Sequence, residues 1–299
     1  MTLLDFIRAV MAELGLQNVS SVVGNQEPTV RQLLALAQRL GNDLTREWDW
    51  QRLDREYILT TRALVQSVTT TEGSAVITTD TTGLSARWGV FGTGARPFAQ
   101  ILSIDSPTQA TMNMPADRSG TTDMQFSQVE YPLPSDWKKQ IPQTEWDRTN
   151  RWPLMGPLTA QAWQSFKSGI VYAGPRERFR ILGNAIVLNP PPPDGLLLAF
   201  EYISNNWVLS AASTGKSSFT ADDDTFIFDD SLMILGLKTL FLQAKGLDFS
   251  LEGSQFSSLL AQCKAQDKSA PMLSISPSSG GRLLSMANVP DGNWGRPQW

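Results

Sequence analysis

Pro28-Thr-Val-Arg-Gln-Leu-Leu-Ala-Leu-Ala-Gln-Arg-Leu40, running on to Trp48-Asp-Trp50, and Asp229-Asp-Ser-Leu-Met-Ile-Leu-Gly-Leu-Lys238, running on to Ala244-Lys-Gly-Leu-Asp248, decide the fold between them. In the first stretch Val30, Leu33/Leu34, Ala37, Leu40/Gly41, Leu44 and Trp48 fall on one face at helical spacing. Pro28 suits a first helical turn, where a missing N–H costs nothing. Roughly 20 residues of helix would reach about 30 Å. In the second stretch Leu232, Leu235, Thr239 and Leu242 share a face, and Gly246 is a stop signal. Everything between the two stretches reads as β, so they look like halves of one helical unit split by a long insertion.

Working outward, Leu3, Phe6/Ile7, Val10/Met11 and Leu14 form another helical stripe, with Thr2 as N-cap and Gly15 as terminator. Phe249 to Lys264 makes a further helix carrying Phe256, Leu259, Leu260 and Cys263. Inside the insertion, Tyr57–Thr61, Ala75–Thr79, Gln100–Ile104, Gln109–Met114 and Met124–Val129 are short, β-rich and spaced by roughly ten residues, the rhythm of a small sandwich or barrel. Thr159 is placed to cap a short helix with Trp163 and Phe166 on one side. Gly183-Asn184 between alternating apolar residues is a two-residue hairpin signal. Pro190–Pro193 ends that strand and Leu196–Ile203 begins another; together with the hairpin this looks like a second β element, continuous with the strand near Tyr57. After Pro271 the chain is rich in Ser, Pro and Gly and has too few apolar residues for a core of its own.

The fold class is therefore α+β. A helical bundle scaffold from the N- and C-terminal segments (1–51 plus 225–270) carries a long, largely antiparallel β insertion (52–224, with 64–130 as a possible subdomain of its own) and an extended C-terminal tail (271–299).

Composition narrows the function. Among the 299 residues there is no histidine and one cysteine, Cys263. Ser-His-Asp, Cys-His and His-metal chemistry are excluded, and an internal disulfide is impossible. The net charge of −4, from 25 basic and 29 acidic residues, is too weak and of the wrong sign to advertise nucleic-acid binding. Met1 to Arg8 carries an acid early and is not expected to act as a signal peptide; no apolar run approaches the roughly 20 residues a membrane span needs.

The remaining chemistry is thin. Asp222-Asp-Asp224 could hold Ca²⁺ but lacks the alternating ligands of an EF-hand loop, and acids before the helix at Asp229 more simply favour its positive N-terminus. Glu145 and Asp147 could act as an acid/base pair, but they more simply flank a core Trp146 and pair with Arg148 or Arg151. Gly92-Thr-Gly94 lacks the helix of a phosphate loop and reads as a turn. Most of the ten tryptophans read as core. Trp294 and Trp299 differ, being apolar anchors in a coreless tail, and with Arg282, Leu283, Leu284, Met286 and Arg296 they are the candidate partner-binding residues. No catalytic, metal or cofactor site is expected.

Ser21-Val-Val-Gly-Asn-Gln-Glu-Pro-Thr-Val-Arg-Gln-Leu-Leu34, leading to Trp48-Asp-Trp-Gln51, resembles the opening of head-to-tail adaptor (connector) proteins of tailed phages. So do Tyr131-Pro-Leu-Pro-Ser-Asp-Trp137, Trp146-Asp-Arg148, Pro153-Leu-Met-Gly-Pro-Leu158, Phe200-Glu-Tyr-Ile-Ser204 and Leu237 to Asp248. The layout is also similar to the tail tubular protein A group of short-tailed phages. The resemblance implies a non-enzymatic virion protein in the neck. It would form a homo-oligomeric, dodecameric ring between the portal protein and a tail nozzle or tube protein. Double-stranded DNA would pass through the lumen without sequence-specific binding, and no membrane or cofactor would be involved. Twelve copies would carry about −48, and a negative channel lets a polyanion slide. A nozzle or tail-fibre-attachment component is the structural alternative; a virion cell-wall hydrolase is the enzymatic one.

Overall fold

The computed structural model describes residues 1–168 and 176–267. Their five α-helices are α1 (Leu3–Glu13), α2 (Pro28–Glu47), α3 (Ala160–Ser168), α4 (Asp230–Ala244) and α5 (Ser250–Asp267). The strands form several antiparallel sheets, so the protein is mixed α+β. The described residues divide into two compact units, one built from Met1–Arg55, Ser135–Gln140 and residues 202–267, the other from Glu56–Pro134 and residues 141–201.

The first unit is mainly helical. Thr2 caps α1 by accepting the Asp5 N–H at 3.2 Å, and Gly15 follows the helix at φ +68°, a region open to glycine at little cost. Pro28 occupies the first turn of α2, whose buried residues are Val30, Leu33, Ala37, Leu40, Gly41, Leu44 and Thr45. Asp229 caps α4 by accepting the Leu232 N–H at 3.0 Å. α1, α2 and α5 all pack on α4. Its buried side is Leu232, Met233, Gly236, Leu237 and Phe241, while Leu235, Thr239 and Leu242 are half-buried. The expected stripe shared only Leu232 with this one. A helix that is apolar nearly all round gives periodicity no face to select; its neighbours decide. Each fully buried Leu or Phe there contributes about 1.5–3 kcal/mol.

Gly41 is where α2 meets Trp207, since a Cβ at that position would overlap the six-membered ring of the indole. The Trp207 Nε1–H donates to Asn42 Oδ1 at 3.0 Å. Around it lie Phe219 (ring centroids 4.9 Å apart) and Phe228 (6.0 Å), and Phe226 joins Phe219 to Phe6 of α1. A three-stranded sheet (Gly215–Lys216, Val208–Leu209, Thr225–Phe226) carries part of this cluster.

The second unit is mainly β. Its largest sheet has six strands in the order Gly89–Phe91, Gly120–Ser127, Ala63–Thr70, Val76–Thr78, Gln109–Met112, Ile101–Ser106. Ala63–Thr70 and Gly120–Ser127 pair in unbroken antiparallel register from Ala63↔Ser127 to Thr70↔Gly120. The expected sandwich or barrel is resolved, among the described residues, as separate antiparallel sheets. A single bridge, Gly89 to Gln100, links the outermost strands of the largest one. Val68, Ile77, Trp88, Ile101, Met124 and Phe126 form its core.

The hairpin Arg178–Leu182/Ala185–Asn189 turns at Gly183-Asn184 as expected, with Gly183 at φ +57°, and adds Glu130–Pro132 as a third strand. Leu197–Ser204 pairs with Asp54–Thr60, whereas the hairpin belongs to a separate three-stranded sheet, so the expected single second β element is divided between two sheets. Thr159 Oγ1 accepts the Ala162 N–H at 3.2 Å at the start of α3, where Trp163 is buried.

Candidate functional site

Trp294, Trp299, Leu283, Leu284, Met286, Arg282 and Arg296, together with the rest of the tail, lie outside the described residues. The surface with the most unusual chemistry among those described is the outer side of α5. This helix has no fully buried residue. Its exposed positions are Ser250, Leu251, Ser254, Gln255, Ser257, Ser258, Ala261, Gln262, Ala265 and Gln266, none of them charged. All three of its charged residues contact other parts of the helical unit. Glu252 meets Lys238 of α4 (3.7 Å), Lys264 meets Glu47 of α2 (2.7 Å), and Asp267 accepts the Gln51 N–H (3.0 Å). Lys238 also reaches Glu13 of α1 at 3.3 Å.

On its inner side α5 closes against Gly236, where a Cβ would come within 2.8 Å of Phe256 and 2.9 Å of Leu40. A groove of about 170 Å³ remains between α2, α4 and α5, lined by Leu40, Leu44, Leu240, Phe256 and Leu260 with Asp43 and Glu47 at the side. Leu247, Phe249 and Leu251, where α4 turns into α5, are 55, 38 and 66 % exposed. A water-facing helix ordinarily carries charge on its outer face, so this surface is suited to close approach by another helix. The signal was present in the sequence as three charges in eighteen residues, but the spacing does not tell which face those charges take.

The candidate acid sites are internal fixtures. Asp222 accepts the N–H groups of Val22 (3.1 Å) and Val23 (2.7 Å), and Asp224 accepts those of Thr220 (2.7 Å) and Ala221 (3.0 Å) while pairing with Lys216 (2.7 Å). Burial alone would raise the pKa of Asp224, yet these bonds hold it below the ordinary carboxylate value. The helix N-terminus they tie is that of α1, through Leu3 N to Asp224 O and Leu4 N to Asp222 O. α4 takes its cap from Asp229 instead.

Glu145 and Asp147 are also arranged differently from the expectation. Both carboxylates are buried, at 3 and 0 % exposure, while Trp146 between them is half-buried. Strand alternation accounts for this, since i and i+2 share a face and the intervening residue takes the other. Asp147 accepts Thr149 N–H (2.9 Å), Asn150 N–H (3.0 Å) and Asn150 Nδ2–H (2.7 Å), and Arg148 pairs with Glu56. Nearby Glu177 is 7 % exposed, and its Oε2 has no hydrogen-bond partner among the described residues. Burial, with the Asp147 charge adding to it, pushes Glu177 up to about 8.

Cys263 is half-buried, and burial, with the Asp229 charge adding to it, raises its thiol pKa and so disfavours the thiolate. Among the described residues no group of His, Cys, Asp or Glu side chains is arranged to hold a metal ion, and no helix is long and apolar enough to cross a membrane. No protein-family model matches the chain, and no curated protein matches it significantly.

Proposed function

We propose that this chain is a structural virion protein, the head-to-tail adaptor that forms an oligomeric ring between portal and tail. The observation that carries the reading is the uncharged outer face of α5, with every charge of that helix engaged inside its own unit. Such a face suits side-by-side subunits in a closed ring, because small uncharged residues let helices approach without desolvating ions. Helical segments from the two ends of the chain would be the ring scaffold, and the β-rich part between them the insertion displayed toward the tail. The tail beyond Pro271 would dock on a neighbouring copy or on the portal. The stretches from Ser21 to Leu34, Tyr131 to Trp137 and Leu237 to Asp248 resemble adaptors of this kind and point the same way.

Light scattering and negative-stain imaging of the full chain, alone and with isolated portal rings, test the proposal. The expected result is a ring with a central channel that cosediments with portal. Ser257→Glu with Ala261→Glu should leave a folded protein that no longer assembles. Deleting residues 271–299 should leave a folded monomer that does not join portal particles. A chain that stays monomeric with and without portal, or a doubly charged α5 that assembles normally, would sink the reading.

A further inference from the structure

The groove of about 170 Å³ between α2, α4 and α5 is walled mainly by apolar side chains. Leu40 and Leu44 are buried, but Leu240, Phe256 and Leu260 are only half-buried and keep part of their carbon surface in water. Such surface gains from any apolar group that covers it. The chain itself supplies one at short range.

The end of α5 is pinned beside the end of α2. Asp267, the last residue of α5, accepts the Gln51 N–H at 3.0 Å, and Lys264 reaches Glu47, the last residue of α2, at 2.7 Å. Glu47 is itself part of the groove, so the chain leaves α5 at one end of it. Leu260 and Phe256 lie about 10 and 16 Å back along the helix axis from Asp267. Residues 268–299 follow, outside the described residues, and their first apolar run is Met272-Leu-Ser-Ile275. Pro271 just before it disfavours continuing the helix. Met272 is five residues beyond Asp267, a reach of up to about 17 Å, enough to double back to Leu260 and Phe256. A tether this short gives the run an effective concentration of millimolar order at the groove. The next apolar run, Leu283-Leu-Ser-Met286, is on a much longer tether. Charge agrees with the placement, since no acid occurs from Lys268 to Pro290 while Asp43 and Glu47 stand at the side of the groove.

We propose that Met272–Ile275 of the chain's own tail docks in this groove, with Leu273 and Ile275 covering Leu240, Phe256 and Leu260. In an extended segment residues two apart share a side, so both side chains can face the groove together. The docking belongs to the single chain and does not depend on ring assembly. It leaves residues 276–299, Trp294 and Trp299 among them, for a partner.

Trypsin digestion of the full chain, with fragments weighed by mass spectrometry, tests it. The tail offers a cut after Lys268, beside the docked run, and another after Arg282, beyond it. Cleavage follows the population of the open form when opening is fast, so the wild type should be cut first after Arg282. Leu273→Asp with Ile275→Asp should speed the cut after Lys268 at least about tenfold. Leu240→Ser, on the groove wall, should speed the same cut in a protein that still melts cooperatively. Leu283→Asp with Leu284→Asp is the matched control and should leave the Lys268 rate unchanged. Equal Lys268 rates in the wild type and either the first pair or Leu240→Ser, or acceleration by the control pair, would overturn the proposal. Protection of Lys268 that fades on about hundredfold dilution would assign the segment to a neighbouring copy and overturn docking within one chain.

Discussion

Replacing Glu177 by glutamine should change the pH dependence of stability in a way no surface substitution would. The Glu177 carboxyl is 7 % exposed, its Oε2 lacks a partner among the described residues, and burial with the Asp147 charge raises it from 4.5 to about 8. The folded value lies above the unfolded one, so the folded state holds a proton that the unfolded chain releases. Stability linked to this group is therefore full below its unfolded pKa and is lost as pH rises toward about 8. At about 1.4 kcal/mol per pH unit the whole span is worth about 5 kcal/mol, of which about 3 kcal/mol is already lost at pH 7. Glu177→Gln removes the proton requirement and keeps the shape. It still buries an unmatched amide, at about 1–3 kcal/mol, so the net gain near pH 8 should be about 1–3 kcal/mol. Urea unfolding followed by tryptophan fluorescence at about pH 5, 6.5 and 8 reads this directly. Wild type should weaken across that range and the variant much less. Parallel slopes for the two proteins, or a variant less stable than wild type at pH 8, would refute the reasoning.

Other perturbations probe the helical unit. Gly41→Ala pushes a methyl into the Trp207 ring and should cost at least about 2 kcal/mol in thermal unfolding, with a smaller loss when Trp207→Leu is added. Asp222→Ala strands the Val22 and Val23 N–H groups; hydrogen exchange at both should quicken, and stability should fall by about 1–3 kcal/mol. Asp224→Asn removes the buried partner of Lys216 and should cost about 3 kcal/mol at neutral pH. Because the folded pKa of Asp224 is lowered, its contribution exists above the unfolded value and disappears as pH falls through the folded one. Melting curves of wild type and variant should therefore converge in acid.

Much of the helical unit was legible because its ends are written in local chemistry. Thr2, Pro28, Asp229 and Gly246 each mark a boundary that the structure keeps within a residue or two. The hairpin at Gly183-Asn184 was legible for the same reason. The strand Ala63–Thr70, the longest pairing partner in the β-rich unit, was not expected. Its Gln, Ser and Thr residues blur the alternation, and its main partner, Gly120–Ser127, lies fifty or more residues away. The candidate surface on α5 was less legible. Its outer face depends on which neighbours claim its three charges, and that property has no spacing. The acids at 222–224 and 145–147 were recognised as unusual, but their roles are set by backbone N–H groups that composition cannot reveal.

α4 at the centre of the helical unit has a consequence for how the protein is made. Its partners α1 and α2 leave the ribosome first, and even the clamp between Val22 and Asp222 joins residues 200 positions apart. At a synthesis rate of about 5–20 residues per second, the apolar faces of α1 and α2 wait roughly ten to forty seconds before α4 arrives. Nascent chains thus expose Phe6, Ile7, Leu33 and Leu40 to water for far longer than a helix takes to form. Yield in the cell should consequently depend on holding chaperones and on translation speed through the β-coding stretch, a sensitivity that belongs to the order of the elements and not to the strength of any contact.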